Sequence, residues 1–254
     1  MEFNFSGKVA VISGAASGMG LVFSKKFVES GGKIVMSDIN DEALNKAVEE
    51  VNAISEGSAI GLTCDVRKYE NVKAVCDLAV EKFGRIDVLI NVAQASASGV
   101  TIQDHTTEQF DLAIYSGLYA SFYYMKACFP YLKESQGSII NFASGAGLFG
   151  NFGQGAYAAA KEGIRGLSRV AATEWAQYGI NTNVICPLAW TAQLEKFEQA
   201  YPEAFKANVK IPPAGHFGDP ELEIGRVCVH LASPDFKYMN GETLTLEGGM
   251  GLRP

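Results

Sequence analysis

The sequence predicts an α/β fold: one domain built on a doubly wound parallel sheet of about seven strands, with helices on both faces. Short runs rich in β-branched residues alternate with segments of helical periodicity along the 254 residues, a pattern typical of right-handed βαβ units. The first strand runs directly into a glycine-rich turn that opens a helix, as in Rossmann-type folds. No repeat, low-complexity stretch or linker divides the chain, so we expect a single domain over residues 1–254.

Four strands are predicted in the N-terminal half, each apolar on both faces as buried parallel strands are, at residues 8–13, 33–37, 59–63 and 86–90. Helices are predicted between them: one that opens after the glycine turn and stops at Gly31, and others at residues 41–54 and 69–83. Polar residues stand at or just beyond the ends of the last three strands, namely Asp38, Asp65 and Asn91.

In the C-terminal half, strands are predicted at residues 137–143, 181–185 and 243–246, and long helices at residues 107–132 and 155–179. The region 187–220 has the least regular pattern of the chain. We interpret it as an excursion that covers the substrate and not as a second domain.

The composition restricts the classes of partner and site. Apolar residues make up 48% of the chain and charged residues 19%, enough for a sizeable core. The net charge of -7 argues against a nucleic-acid partner, which would need a basic patch. No signal peptide or membrane-spanning run is found, so we expect a cytoplasmic protein. The cysteines and histidines lack metal-ligand and C-x-x-C spacing, which predicts buried free thiols and no catalytic metal.

The glycine-rich turn after the first strand carries Gly14, Gly18 and Gly20 in the spacing G-x-x-x-G-x-G. Such a turn lets backbone amides at a helix N-terminus approach a pyrophosphate. Asp38 ends the second strand, where a carboxylate can accept both hydroxyls of an adenosine ribose and repels a 2′-phosphate. We therefore predict that NAD(H) is preferred over NADP(H). The alternative is that Asp38 is only an N-cap or turn residue.

A second pattern joins Ser144, Tyr157 and Lys161. Tyr157 and Lys161 are four residues apart and so share one face of a helix. A free phenol has a pKa of about 10, and a nearby ammonium lowers that pKa toward a value useful for proton transfer. Ser144, where a strand ends, is placed to hydrogen-bond the same reacting oxygen. The spacing alone also fits a chance surface pair, and it is the glycine turn and Asp38 that favour chemistry.

Together these motifs resemble those of the short-chain dehydrogenase/reductase family over the whole chain. The family's glycine motif corresponds to residues 13–20 and its Asn-Asn-Ala-Gly to residues 91–94. Its adenine-ring Asp corresponds to Asp65 and its Pro-Gly to Pro187-Leu188. Its serine and Tyr-x-x-x-Lys correspond to Ser144, Tyr157 and Lys161, and the joint occurrence in this order is specific.

The resemblance implies a role for each residue. Tyr157 is expected to be the acid/base, Lys161 to lower its pKa and bind the nicotinamide ribose, and Ser144 to position the substrate oxygen. The other residues implied to line the dinucleotide are Gly14, Ser17, Met19, Asp38, Ile39, Asp65, Val66, Asn91, Ala93, Pro187, Trp190 and Thr191. The resemblance also implies a homo-oligomer, a tetramer or a dimer, built through the helices at 107–132 and 155–179.

Leu188 departs from the family's Pro-Gly, and two further departures, Gly117 and Gln94, bear on the chemistry. Gly117 stands where the family has an Asn that bends the long helix and holds a proton-relay water, and Ser116 or a freed carbonyl is expected to compensate. Gln94 replaces the usual glycine beside the nicotinamide. We expect its side chain to project toward the substrate and to narrow or polarise the pocket, and the alternative is a side chain in solvent.

The substrate side is predicted to be mainly apolar. The residues expected to line it are Gln94, Gly145, Leu148, Phe152, Leu188, Trp190 and Leu194. Leu194, Phe197 and Tyr201 form one helical stripe, which either lines this pocket or packs on the body of the protein. No cluster of Arg or Lys marks a carboxylate or phosphate clamp, so we expect a hydrophobic ketone or secondary alcohol.

The sequence thus predicts an NAD(H)-dependent oxidoreductase, a carbonyl reductase (ketoreductase) or alcohol dehydrogenase acting on a hydrophobic small molecule. Two alternatives stay open. One is non-redox chemistry on the same scaffold, such as dehydration or epimerisation with bound NAD. The other is a cofactor-binding regulator without turnover, although a pure binder would not need the serine, tyrosine and lysine.

Overall fold

The computed structural model describes residues 4–251, apart from the side chains of residues 193, 197, 204, 207 and 208. The strands in this part of the chain are β1 (Val9–Ser13), β2 (Lys33–Asp38), β3 (Ala59–Thr63), β4 (Val88–Asn91), β5 (Ser138–Phe142), β6 (Asn181–Pro187) and β7 (Thr243–Leu246). They form one parallel sheet in the order β3-β2-β1-β4-β5-β6-β7. The predicted seven-stranded, doubly wound sheet is confirmed.

The α-helices of the described residues are α1 (Gly18–Glu29), α2 (Asp41–Asn52), α3 (Tyr69–Phe83), α4 (Thr107–Ala113), α5 (Ala120–Ser135), α6 (Gly145–Phe149), α7 (Gly155–Trp175), α8 (Ala192–Ala200), α9 (Pro202–Asn208) and α10 (Arg226–Leu231). The long helix predicted at 107–132 is not regular, because a π-helical turn, Ile114–Tyr119, joins α4 to α5. Ser116 of this turn lines the cleft at the carboxyl edge of the sheet.

Each face of the sheet is covered by its own apolar layer. Successive side chains of a strand point to opposite faces, so Ile12 belongs to one layer and its neighbour Val11 to the other. The first layer contains α1, α2 and α10, and the second contains α3, α5 and α7. The prediction of helices on both faces is therefore confirmed.

The region 187–220, predicted to be the least regular, contains two helices, α8 and α9. Each is shorter than three turns, and Pro202 opens the second helix directly after the first. Leu194 of the predicted helical stripe lies in α8. The region is still an excursion from the sheet. A parallel bridge between Ala189 and Gly218 closes its base.

The order of the strands reverses between β1 and β4. In an open parallel sheet this is where a crevice forms at the carboxyl ends of the strands. Ser13 of β1 pairs in register with Asn91 of β4, and Asn91 pairs with Asn141 of β5. The ends of these three central strands therefore meet at one place on the edge of the sheet.

Candidate active site

A cleft of about 400 Å³ opens at this edge. The residues lining it that had been predicted for the dinucleotide are Gly14, Ser17, Asp38, Ile39, Asp65, Val66 and Ala93, and Gln94 lines it as well. Two further predicted residues lie behind the cleft: Met19 packs on the apolar core, and the buried amide of Asn91 donates a 2.8 Å hydrogen bond to Asn141. These two support the cleft instead of lining it.

The glycine turn lies against the loop after β4. A Cβ on Gly14 would be 2.9 Å from the backbone nitrogen of Ala93, so only glycine permits this approach. The Ser13 hydroxyl accepts hydrogen bonds from the backbone N–H groups of Val92 (3.2 Å) and Ala93 (3.3 Å). Ser17 caps α1 without using its side chain, and the first turn of α1 carries no acidic residue. The helix N-terminus is therefore suited to a phosphate group.

Asp38 acts as a turn residue and also lines the cleft. Its Oδ2 accepts a hydrogen bond from the N–H of Ala16 (3.2 Å), and its Oδ1 accepts one from the N–H of Asn40 (3.1 Å). The two roles predicted for Asp38, a turn residue and a residue that binds ribose hydroxyls, are thus compatible. Both carboxylate oxygens keep further acceptor capacity toward the cleft.

Arg67 also lines the cleft, and the sequence motifs gave no prediction for it. Its guanidinium binds Asp65 through two hydrogen bonds of 2.8 and 2.9 Å. These bonds lower the pKa of Asp65, against the opposing effect of burial. The pairing keeps the Arg67 side chain against the neighbouring Asp65. The signal for this pair in the sequence was an acidic residue two positions before an arginine.

Ser144, Tyr157 and Lys161 meet just beyond the end of β5. Ser144 is the N-cap of α6, where its Oγ accepts a 3.1 Å hydrogen bond from the N–H of Ala146. The Ser144 side chain lies near enough to the Tyr157 hydroxyl to lower the pKa of that phenol. Tyr157 and Lys161 lie on one face of α7, with the Lys161 Nζ 5.5 Å from the centroid of the Tyr157 ring. The three side chains predicted to act together are therefore brought together.

Lys161 is a buried cation with unused donors. Its side chain is 3% exposed, and burial lowers its pKa to about 8. Its Nζ donates a 2.9 Å hydrogen bond to the carbonyl oxygen of Phe142, the one protein acceptor within reach among the described residues. An ammonium has three donors. Two of them therefore remain for a ligand or an ordered water.

Burial dominates the pKa of Tyr157. It raises that pKa above its ordinary value of 10.0, and the nearby Ser144 side chain opposes the shift only in part. The Lys161 ammonium lies 5.5 Å from the centroid of the ring and donates to a backbone carbonyl. The lowering of the Tyr157 pKa by Lys161 stays a prediction.

Two polar residues behind the site were not predicted. The Asn141 amide donates to Ser168 of α7 at 2.8 Å and accepts from Asn91, so it ties β4, β5 and α7 together. Arg165 is 1% exposed and bonds Glu162 at 3.0 Å and the carbonyl of Ser144 at 3.5 Å. A polar residue inside the apolar strand β5 was the available signal for Asn141.

Gln94 has an orientation that neither prediction described. Its Nε2 donates hydrogen bonds to the carbonyl oxygens of Ala95 (2.9 Å) and Ala113 (3.1 Å). The amide is therefore turned onto the π-helical turn, while the residue also lines the cleft. Ser116 of the same turn lines the cleft beside it.

The residues predicted after β6 mostly build the excursion. The Trp190 ring packs on Phe205 and Phe217, with centroid separations of 6.1 and 5.7 Å. The Thr191 hydroxyl accepts a hydrogen bond from the N–H of Leu194 at the start of α8. Leu188 continues the ladder beyond Pro187 by donating its N–H to the carbonyl of Leu246 at 2.9 Å. The excursion thus has an aromatic interior fixed to the edge of the sheet.

Other predicted substrate-side residues lie around α6. Leu148 is half-buried in that helix, whereas Phe152 is 86% exposed beyond it. A Cβ on Gly145 would be 2.6 Å from Oε1 of Glu247, so this glycine is set by contact with the end of β7. Tyr201 is exposed between α8 and α9. The Phe197 side chain, the third of the predicted stripe, lies outside the described residues.

Residues 4–251 contain neither a cluster of metal-binding side chains nor a membrane-spanning helix. No group of three or more His, Cys, Asp or Glu side chains there could hold a metal ion. No helix in that range is both long and apolar enough to cross a bilayer. All five cysteines are buried and free, as predicted.

Comparison with known proteins gave matches over nearly the whole chain. A family model described as enoyl-(acyl carrier protein) reductase matches residues 14–251. A 12alpha-hydroxysteroid dehydrogenase from Clostridium sp. (strain ATCC 29733 / VPI C48-50) is 58% identical over 98% of this chain and 99% of its own. A 3-oxoacyl-(acyl-carrier-protein) reductase from Thermotoga maritima is 33% identical over 96% of this chain and 98% of its own.

Solved structures also match over nearly the whole chain. The crystal structure of levodione reductase has a TM-score of 0.89 at 28% identity and covers 96% of this chain and 98% of its own. The crystal structure of an NAD+-bound xylitol dehydrogenase has a TM-score of 0.88 at 29% identity and covers 96% of this chain and 99% of its own. The fold and the arrangement of the strands are thus those of known dehydrogenases and reductases.

Proposed function

This chain belongs to the short-chain dehydrogenase/reductase family, and on that premise we propose that it is an NAD(H)-dependent enzyme interconverting a hydrophobic ketone and a secondary alcohol. The observation that carries the proposal is the meeting of Ser144, Tyr157 and Lys161 just beyond the end of β5, at the carboxyl edge of the sheet. The 58% identical relative supports a hydroxysteroid as the substrate class, because such a molecule carries a secondary alcohol on a rigid apolar ring system.

The cleft has the features that a nicotinamide dinucleotide needs. Gly14 lets the turn approach the loop after β4 closely, and the N-terminus of α1 is free of acidic side chains. Asp38 lines the cleft at the end of β2, where the hydroxyls of an adenosine ribose are bound in folds of this type. When bound, the nicotinamide supplies or accepts the hydride.

The protein's own residues handle the proton. In reduction, the Tyr157 hydroxyl gives its proton to the carbonyl oxygen of the substrate, and in oxidation the phenolate takes the proton of the alcohol. Ser144 lies near the Tyr157 hydroxyl, so its own hydroxyl can hold the same substrate oxygen and stabilise negative charge that develops there. Lys161 keeps two donors and a positive charge beside the phenol, which favours the phenolate once those donors engage a ligand.

The apolar excursion supports a hydrophobic substrate. Trp190, Phe205 and Phe217 form an aromatic cluster at its base, and Leu194 is half-buried in α8. The excursion begins where β6 ends, next to β5 and therefore next to Ser144. An apolar ring system placed there would gain about 25 cal/mol for each Å² of its surface removed from water.

The preference for NAD(H) is tested by the kinetics of both cofactors. We expect kcat/KM for a hydroxysteroid to be at least about tenfold higher with NAD than with NADP, because the Asp38 carboxylate repels a 2′-phosphate. Asp38→Ser should shrink this ratio by about tenfold. Asp235→Ser, which changes an exposed carboxylate paired with His230, is the control and should leave the ratio unchanged.

Equal or faster turnover with NADP would overturn the cofactor preference. Absence of nicotinamide turnover with every hydroxysteroid and simple secondary alcohol would overturn the redox assignment. The two alternatives, non-redox chemistry and a regulator, would then be separated by whether the substrate panel is transformed at all.

A further inference from the structure

Gln94 and Gly117, two of the residues that depart from the family pattern, lie against each other. A Cβ on Gly117 would be 2.1 Å from Oε1 and 2.9 Å from Cδ of Gln94. Gly117 does not have a positive φ, so its backbone conformation does not require glycine. The Gln94 amide requires it, because the amide fills the place that a side chain at position 117 would take.

The amide is also bonded into the helix. Its Nε2 donates to the carbonyl of Ala113, the residue directly before the π-helical turn. A side chain inserted against a helix in this way is a known cause of a widened turn. Gln94 thus occupies a recess that the π-helical turn and Gly117 form together.

A second side chain makes the reverse connection. Ser116 of the π-helical turn accepts a 2.9 Å hydrogen bond from the N–H of Ala95 and lies 3.0 Å from the carbonyl oxygen of that residue. Gln94 therefore reaches from the loop to the helix, and Ser116 reaches from the helix to the loop. The two contacts fix residues 93–95 on one side.

The other side of this loop faces the glycine turn. The N–H groups of Val92 and Ala93 donate to Ser13, and Gly14 lies in close contact with Ala93. Residues 92–95 line the cleft between these two supports. A shift of the helix-side support would therefore move the wall of the cleft itself.

We propose that Gln94 and Gly117 form one positioning unit: the Gln94 amide, seated in the Gly117 recess, holds residues 92–95 in the place where they line the dinucleotide cleft. The Oε1 atom is buried without a hydrogen-bond partner among the described residues. Such burial costs stability. The amide is thus poorly explained as a device for stability alone. The effect on turnover rests on the proposed function, whereas the effect on the loop does not.

The test compares Gln94→Ala, Gly117→Ala and the double variant. Each single substitution removes the amide from the recess, by deletion or by collision, so both should raise the dissociation constant of NADH about tenfold. The double variant should be no worse than either single variant, because one unit can be broken only once. Gly166→Ala in α7 is the control, since a Cβ there meets no atom within 4 Å, and it should bind NADH normally.

Two further measurements separate positioning from simple packing. Gln94→Met fills the recess without donating hydrogen bonds, so it should keep the thermal midpoint yet bind NADH about as weakly as Gln94→Ala. Amide hydrogen exchange of residues 92–96 should be faster in both single variants than in Gly166→Ala, whether or not the wild-type protein turns over a substrate.

Additive effects of the two single variants, unchanged exchange in residues 92–96, or wild-type binding by Gln94→Met would overturn the positioning unit. A wild-type protein without turnover would overturn the proposed function and leave the exchange result to decide this inference.

Discussion

Two tyrosine–serine pairs occupy different regions of this molecule. In the core, the Tyr124 hydroxyl of α5 lies 2.6 Å from the Ser37 hydroxyl of β2. At the carboxyl edge of the sheet, the Ser144 side chain lies near the Tyr157 hydroxyl of α7 and lowers its pKa. Burial raises the pKa of both tyrosines. The two pairs are therefore alike in residue type and in the direction of the pKa shift.

Their surroundings differ. Tyr124 is 0% exposed, and its hydroxyl has the Cys64 thiol as its other close neighbour at 3.6 Å. Tyr157 is half-buried and has the Lys161 ammonium beside its ring. A tyrosine–serine pair by itself is thus a structural feature. The second pair differs in two ways: it lies at the edge of the sheet, where a ligand can reach it, and it has beside it a cation with free donors. These two features make it suited to proton transfer.

The strongest test of this comparison removes each phenol oxygen in turn. Tyr157→Phe should lower kcat about a thousandfold, or about 4 kcal/mol, because the proton donor is lost, while the thermal midpoint changes little. Tyr124→Phe should keep kcat and lose about 1 kcal/mol of stability with its buried hydrogen bond. Steady-state kinetics and thermal unfolding check both. Undiminished turnover in Tyr157→Phe would end the distinction between the pairs.

The next test concerns the cation found beside only one of the two tyrosines. Burial lowers the pKa of Lys161 to about 8, from 10.5 in an unfolded chain. Between these pH values the unfolded state binds more protons than the folded state, so the stability contributed by Lys161 rises with pH. It is fully present above about pH 10.5 and is lost as the pH falls through about 8.

Relative to Lys161→Met, the wild-type free energy of unfolding should therefore increase by about 3 kcal/mol from pH 7 to pH 11. Lys126→Met is the matched control: its ammonium also lies over a tyrosine ring, 5.1 Å from the Tyr69 centroid, but the residue is exposed. Denaturant unfolding across this pH range measures both differences. If the difference in free energy of unfolding between the wild type and Lys161→Met does not change with pH, the Lys161 ammonium is not buried.

The smallest expected effect comes from the serines. Ser144→Ala should lower kcat roughly thirtyfold, or about 2 kcal/mol, because one hydrogen bond to the developing oxyanion is lost. Ser37→Ala removes bonds to Tyr124 and to the Ile12 carbonyl and should reduce stability without changing kcat. Ser144→Thr should recover part of the activity. Equal kcat losses in both alanine variants would show that the Ser144 effect is structural.

Much of the fold was predictable because local patterns carry it. Buried parallel strands read as short apolar runs, and Gly31 and Gly84 end α1 and α3 near the residues where periodicity stops. The excursion at 187–220 was predicted as a region, but the bounds of its short helices α8 and α9 were not. The π-helical turn was not predicted, because the Gln94 amide that bonds Ala113 beside it lies 19 residues away in the chain.

The sequence by itself determined the parallel sheet, the glycine turn and the Ser144, Tyr157 and Lys161 set, because strand periodicity, turn conformation and helical spacing act over a few neighbouring residues. Only the tertiary structure decided the raised pKa of Tyr157, the fit of Gln94 to Gly117 and the link that Asn141 makes between Asn91 and Ser168. These depend on burial and on atoms in close contact, which are set when separate segments pack against one another.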